Sequence, residues 1–229
     1  MNLRKIKYNI KSMVFKLLGK NSYSRVQLND WLEKIEIKTD KALEIGASFN
    51  PVIKKVKSWK VKQYKTLDDN LENPCNPDFN LDLNLLYFSD KYGWISKKKE
   101  DNPMIKKVLN YHPNIIFCLE VMEYIYKPDT VLKFFYDILA SDGSLYISFY
   151  AIYPVHEPHK HYSLRYTKWG IINLLKEAGF SKWEIVPRKA TKGIEELNSF
   201  YKKEKMWALK NSRLPYDIGY FVKTFKNQQ

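Results

Sequence analysis

Apolar residues recur at helical spacing at the start of the chain, at Leu3, Ile6, Ile10, Met13 or Val14, and Leu17, with lysines between them. This period predicts an amphipathic helix over Leu3 to Leu18 that stops at Gly19. A shorter helical pattern runs through Val26, Trp31, Leu32 and Ile35, and then the character changes. Lys41 to Ile45 is a brief apolar run closed by Gly46, which predicts a buried strand. Val61 to Thr66 alternates apolar and polar residues as a strand does, and ends at Leu67-Asp68-Asp69. Asn114 to Leu119 is another short apolar run, followed by a helical pattern through Val131, Leu132, Phe135, Ile138 and Leu139. Asp142-Gly143 marks a turn, and the β-rich run Ser144 to Tyr150 follows it. Thr167 is a good helix cap, with Trp169, Ile172, Leu175 and Ala178 as the expected buried stripe and Gly179 as the stop. Trp183 to Val186 and Ile218 to Phe225 read as late strands around a helical stretch, Ile194 to Leu209. Between Asn73 and Asn110 the pattern assigns no element firmly.

Strands alternating with helices predict an α/β sheet with mostly parallel strands, and short apolar strands suit a sheet covered on both faces. No repeat, low-complexity tract or Gly/Ser linker divides the 229 residues. The change at Lys41 sets off residues 1–40, a basic amphipathic helical segment, from an α/β domain over 41–229.

Charge refines this picture modestly. The formal net charge is +14, of which Met1 to Lys41 contributes +6 (ten Lys/Arg, four Asp/Glu) and Lys182 to Gln229 another +6 (eleven against five). Basic ends suit a nucleic acid or an anionic membrane surface, and a Lys-rich composition can also reflect coding bias. No run approaches the ~20 apolar residues of a membrane-spanning helix. Met1 to Lys20 lacks the continuous apolar core of a secretory signal, so a cytoplasmic chain is expected, with peripheral contact to a membrane as its variant. Cys75 and Cys118 form no CxxC pair, so neither a disulfide framework nor structural zinc is expected.

In doubly wound sheets, ligands bind beyond the carboxyl ends of the strands near the switch in strand order. Four places acquire meaning from that rule. In Glu44-Ile-Gly-Ala-Ser-Phe-Asn-Pro51, Gly46 permits a sharp turn and a close approach of backbone to ligand, and Glu44 puts a carboxylate nearby. Taken alone, one glycine here also suits an ordinary strand-ending turn. Asp68 lies 22 residues after Gly46 at a strand end, the spacing of an acid that binds ribose hydroxyls; Asp69 is the alternative. Leu119-Glu-Val-Met-Glu-Tyr-Ile125 follows the apolar strand. The fourth, Tyr153 to Thr167, gathers His156, His159 and His161 within six residues, yet Pro158 argues against a helix aligning them on a metal. A polar substrate loop is the leading expectation there, and no metal is expected.

Together these stretches resemble the class I S-adenosylmethionine-dependent methyltransferases, especially small bacterial members associated with glycan biosynthesis. Leu43 to Pro51 is similar to the family's first motif in its Asn-Pro variant, and Glu120-Val-Met-Glu-Tyr-Ile-Tyr-Lys-Pro128 to its Glu-Val-Leu-Glu-His-Ile stretch. Ile138 to Ser148 resembles the Leu-Lys-Pro-Gly-Gly turn and strand; His156, Pro158, Tyr162, Arg165, Tyr166 and Thr167 resemble a His-x-Pro, Tyr, Arg-Tyr-Thr pattern. Ala178-Gly-Phe180 matches the family's helix end.

The resemblance implies a Rossmann-like doubly wound, mostly parallel seven-stranded sheet with an antiparallel last strand, plus N-terminal helices. It implies S-adenosylmethionine as cofactor, held by Glu44, Gly46 and Ala47 at the methionine part, Asp68 at the ribose and Asp82 at the adenine amino group. Leu119 and Glu120 would border the methionine moiety. The acceptor would meet Glu120, His156, Tyr162 and Arg165, with His156, His159 or His161 as catalytic base. The implied reaction is methyl transfer to a hydroxyl of a sugar, glycan or related small precursor. A nucleic-acid methyltransferase, and a degenerate fold kept as a binding partner, are the alternatives. Departures are Ser48 and Asn50 where glycines are common, Asn114 for Asp, Tyr124 for His, and Ala140-Ser-Asp142 without Lys-Pro.

Overall fold

The computed structural model describes residues 23–47, 51–69, 76–152, 164–189 and 217–226. The expected helices Leu3 to Leu18 and Ile194 to Leu209 lie outside them. Helix α1 (Tyr23–Leu32) leads into β1 (Glu36–Ile45), which begins ahead of the expected Lys41, so residues 36–40 join the sheet. Strands β2 (Ser58–Asp68) and β3 (Phe79–Asn80) follow, then a small hairpin of β4 (Leu86–Ser89) and β5 (Gly93–Ser96). Next come α2 (Asn102–Tyr111), β6 (Ile115–Cys118), α3 (Pro128–Ile138), β7 (Ser144–Tyr150), α4 (Lys168–Ala178), β8 (Lys182–Lys189) and β9 (Asp217–Phe225).

The main sheet has seven strands in the order β3-β2-β1-β6-β7-β9-β8. All neighbours are parallel except β9, which runs antiparallel to both β7 and β8. The expected doubly wound sheet is therefore present. The order reverses between β1 and β6, where Ala42 to Ile45 pair with Ile115 to Cys118. Both runs are buried, as a strand covered on two faces must be.

One face carries α2, α3 and α4, whose Ile105, Val108, Phe134, Phe135, Ile138 and Leu175 form one core with Leu43, Ile116 and Ile147. The other face is covered by Leu28 and Leu32 of α1 and by Val52, packed on Ala42, Phe117, Tyr146 and Phe221. Trp31 stacks on Phe221 with centroids 4.9 Å apart. The connection from β1 to β2 is only residues 46–57, and its described helical piece is one short turn, Val52–Lys54.

Helix α4 begins and ends as its residues demand. The Thr167 hydroxyl accepts from the Gly170 N–H at 3.1 Å, and Gly179 closes the helix at φ +105°. The expected stripe needs one correction, because Trp169 is 73% exposed. Ile171 is buried in its place, alongside Ile172, Leu175 and Ala178 as expected.

Candidate functional site

The carboxyl ends of β1, β2, β3 and β6 lie along one edge of the sheet, and most of the sequence-derived site residues fall there. Gly46 leaves β1 at φ +70°, a conformation that favours glycine, and its N–H donates to the Leu67 carbonyl at 2.9 Å. A Cβ at this position would stand 2.5 Å from Cγ2 of Val121, so the space is filled by the loop after β6. Gly46 thus lets the two loops at the switch point meet. Ala47 beside it is buried.

Glu44 is buried at the top of β1. The Val52 N–H donates to its two oxygens at 3.1 and 3.0 Å, and the Tyr64 hydroxyl donates to Oε2. Burial raises its pKa, against the pull of Tyr64, the Val52 N–H and the Lys55 charge. Its carboxylate therefore pins the short turn that follows β1. Asp68 ends β2 opposite Asn80; its carbonyl accepts from the Leu81 N–H at 3.1 Å and from the Asn80 amide at 3.2 Å. Asp82 caps the turn after β3, its Oδ1 accepting from the Asn84 N–H at 2.8 Å.

Leu119 is half-buried against the α1 face, and Glu120 follows it with φ +60°, uncommon for a residue other than glycine. Partners on two strands hold that conformation. Ser148 of β7 accepts from the Glu120 N–H at 2.7 Å and donates to Oε1 at 2.9 Å; Tyr150 donates to Oε2. Arg188 of β8 donates from Nη1 to Oε1 at 2.7 Å. Arg188 is fully buried, its guanidinium 4.4 Å from the Tyr150 ring centroid and 4.6 Å from that of Phe221. Its Nη2 donates to the Ser24 carbonyl of α1 at 3.0 Å, while its Nε has no acceptor among the described residues. Burial alone would raise the Glu120 pKa, but the Arg188 charge and these hydrogen bonds hold it below the usual carboxylate range. The Glu120 carboxylate is thus paired with a fully buried arginine.

Sequence reasoning missed this arginine. At the end of an exposed-looking strand, Arg188 reads as a solvated charge; a signal was the apolar Gly219-Tyr-Phe-Val222 run that pairs with it. It also missed Glu123, which is 2% exposed with Oε2 unpartnered among the described residues. Burial and the neighbouring Glu120 charge push its pKa up to about 8.

The described residues that flank the fourth place, up to Ile152 and from Leu164, lie at the same edge. The chain leaves β7 past Tyr150 and returns where the Tyr166 N–H donates to the Tyr150 carbonyl at 2.9 Å. Arg165 is exposed there, and the Tyr166 hydroxyl donates to the Met122 carbonyl at 2.9 Å. His156, His159, His161 and Tyr162 lie outside the described residues. Among the described residues no group of three or more His, Cys, Asp or Glu is placed to hold a metal ion. No helix among them is long and apolar enough to cross a membrane.

No family model and no curated protein sequence matches the chain. Solved structures do. An S-adenosylmethionine-dependent methyltransferase from Archaeoglobus fulgidus aligns over 94% of this chain and 99% of its own at 12% identity, with a TM-score of 0.53. The fold is that of the class I methyltransferases. A Thermotoga maritima member (12% identity, 96% of this chain and 97% of that, TM-score 0.52) and one from Mesorhizobium loti (10%, 88% and 97%, 0.52) have the same methyltransferase fold. At these identities the likeness is one of architecture, and the residues of the site speak for themselves.

Proposed function

We propose that this methyltransferase fold transfers a methyl group from S-adenosylmethionine to a hydroxyl of a sugar, glycan or related small-molecule precursor. The observation that carries the reading is the convergence of Glu44 to Ala47, Asp68, Asp82 and Leu119-Glu120 on the carboxyl edge of four adjacent strands. On this reading the backbone around Gly46 and Ala47 binds the methionine part, Asp68 the ribose hydroxyls and Asp82 the adenine amino group, with Leu119 bordering the sulfonium. Glu120 acts through its ion pair, fixing the loop that borders the acceptor.

The chemistry is an in-line displacement. An acceptor oxygen lone pair forms the new O–C bond while the C–S bond breaks and the sulfur keeps its electron pair. The hydroxyl proton passes to a base, for which His156, then His159 or His161, is the assigned group. The protein's main task is alignment, which can supply roughly 7–11 kcal/mol of the barrier. Arg165, exposed at the same edge, would orient an anionic group on the acceptor.

Isothermal calorimetry with S-adenosylmethionine and its demethylated product tests the first half; saturable binding is expected, and no heat at millimolar ligand would remove the enzyme reading. Transfer of labelled methyl to glycan precursors tests the second. One observation favours a second reading: the carboxylates of Glu44 and Glu120 are already satisfied within the protein. A degenerate fold serving as a binding partner would bind cofactor and turn over no acceptor.

A further inference from the structure

The β4–β5 hairpin takes no part in the proposed chemistry, yet it is firmly built. Trp94 is its anchor: the indole N–H donates to Asp137 Oδ2 of α3 at 2.9 Å, and the ring packs edge-on against Phe134 with centroids 5.2 Å apart. Lys97 N–H closes the base on the Leu85 carbonyl at 3.0 Å. Asn84, just before β4, donates its amide to the Tyr124 carbonyl and accepts from the Tyr126 N–H at 2.7 Å, tying the base to the loop after β6. On this rigid support stand three exposed rings, Tyr87 (39%), Phe88 (57%) and Tyr92 (67%).

The rings do not form a platform. Tyr87 pairs across the strands with Ile95 and Phe88 with Trp94, so consecutive residues put them on opposite faces of the ribbon, and Tyr92 sits in the turn. Flat ligands such as sugars or bases stack on rings that share a face. Rings spread over both faces and the turn of a ribbon, with Phe88 braced edge-on against Trp94 at 5.4 Å, suit insertion into a layer that is apolar inside and polar at its rim.

Charge selects the layer. Residues 86–111 carry six lysines and three acids. Asp101 is buried and accepts from the Ser96 hydroxyl at 3.0 Å, and Lys98 faces it at 3.8 Å. Lys91 lies 5.0 Å from the Tyr92 ring centroid, and Lys106 and Lys107 are exposed on α2, the helix behind the hairpin. We infer that the β4–β5 hairpin is a docking element for an anionic lipid surface, with Tyr87, Phe88 and Tyr92 entering the headgroup layer and Lys91, Lys106 and Lys107 meeting its anionic groups. This assignment is independent of the proposed methyl transfer, because vesicle binding needs neither cofactor nor acceptor.

The full chain is sedimented with vesicles of phosphatidylcholine alone and with about one-third phosphatidylglycerol, at low and high salt. Binding to the anionic vesicles only, weakened by salt, is expected. Phe88→Ser/Tyr92→Ser should lower partitioning at least about tenfold, and Lys106→Gln/Lys107→Gln by about fivefold per charge removed. Thermal unfolding within a degree or two of the parent's would show that these surface variants still fold. Undiminished binding by the ring variant, with loss on deleting residues 1–20 instead, would overturn the assignment in favour of the N-terminal segment. Equal binding to neutral vesicles, or none to either, would overturn it as well. So would ring-dependent retention of single-stranded RNA in place of vesicles.

Discussion

On one face of the sheet, Phe134, Phe135 and Ile138 of α3 and Leu175 of α4 meet Leu43, Ile116 and Ile147 in one apolar cluster. On the other, Leu28 and Leu32 share the cover with buried Glu44, Tyr150 and Arg188 and partly buried Glu120, each held by a named partner. The first face is held by area and shape, which many apolar sequences supply. The second depends on specific pairs, because an ion left alone there has no water to turn to. Its demands fall on the elements that frame the site, since Arg188 joins the loop after β6 to α1.

The largest effects should separate the two faces by pH. Phe134→Ala is expected to cost ~3–5 kcal/mol in urea unfolding, equally at pH 5 and pH 8. Arg188→Met should cost a similar ~3–5 kcal/mol at pH 8, because it leaves the largely enclosed Glu120 carboxylate without its counter-charge. In the parent, Glu120 has a lowered pKa, so its contribution is present above about pH 4.5 and fades as pH falls through the folded value. In the variant burial is opposed only by the Ser148 and Tyr150 hydrogen bonds and the pKa rises, so the deficit should shrink toward pH 5. Two flat deficits would erase the distinction.

Glu123 sharpens the comparison, as a carboxyl whose charge disfavours ionisation of Cys118 and Tyr166 on the apolar side. Its pKa is raised from 4.5 to about 8, so the unfolded chain releases this proton first and stability should fall as pH climbs through that window. Glu123→Gln should flatten the decline and stabilise the fold at pH 7 by on the order of 3 kcal/mol. A parent whose stability rises from pH 5 to 8, matched by the variant, would show that Glu123 finds a partner when charged.

A third expectation concerns ligand in place of fold. Asp68→Ala should weaken S-adenosylmethionine binding by about one to two decades, ~1.5–3 kcal/mol, and Asp69→Ala far less, by calorimetry. Equal affinities would remove the ribose assignment. The smallest effect is set for Trp169→Ala, within about 0.5 kcal/mol of the parent, since the ring is 73% exposed. A larger loss of stability would restore the buried stripe first read for α4.

The sheet was legible where burial writes itself as an unbroken apolar run. Ser144 to Tyr150 coincides with β7 to the residue, and Ile115–Cys118 lies within its expected run. The β4–β5 hairpin was not legible, because its strands are four residues each and bury only Leu86, Trp94 and Ser96, so no period survives. In the site, the residue types and their strand ends were readable, but their partners were not. Nothing within Leu119-Glu-Val foretells that Glu120 meets an arginine 68 residues onward. Such pairing is set by strand order, and β8 reaches this place only because β9 is inserted beside β7. Trp169 shows the same limit on a smaller scale, since spacing gives a helix its period but leaves its rotation to tertiary packing.

The brief connection between β1 and β2 bears on how the chain acquires its shape. Glu36 pairs with Ser58 and Ile45 with Leu67, so residues 46–57 must return along a strand that rises about 30 Å. Twelve residues reach only about 40 Å when drawn out, which leaves little slack. A loop this short is also inexpensive to close, so β1 and β2 can meet before any more distant pair. This length makes residues 46–57 intolerant of shortening: removing more than about four would leave the strands unable to keep their register. This stretch is therefore a measuring line for the sheet, setting by its length how far β1 and β2 run side by side.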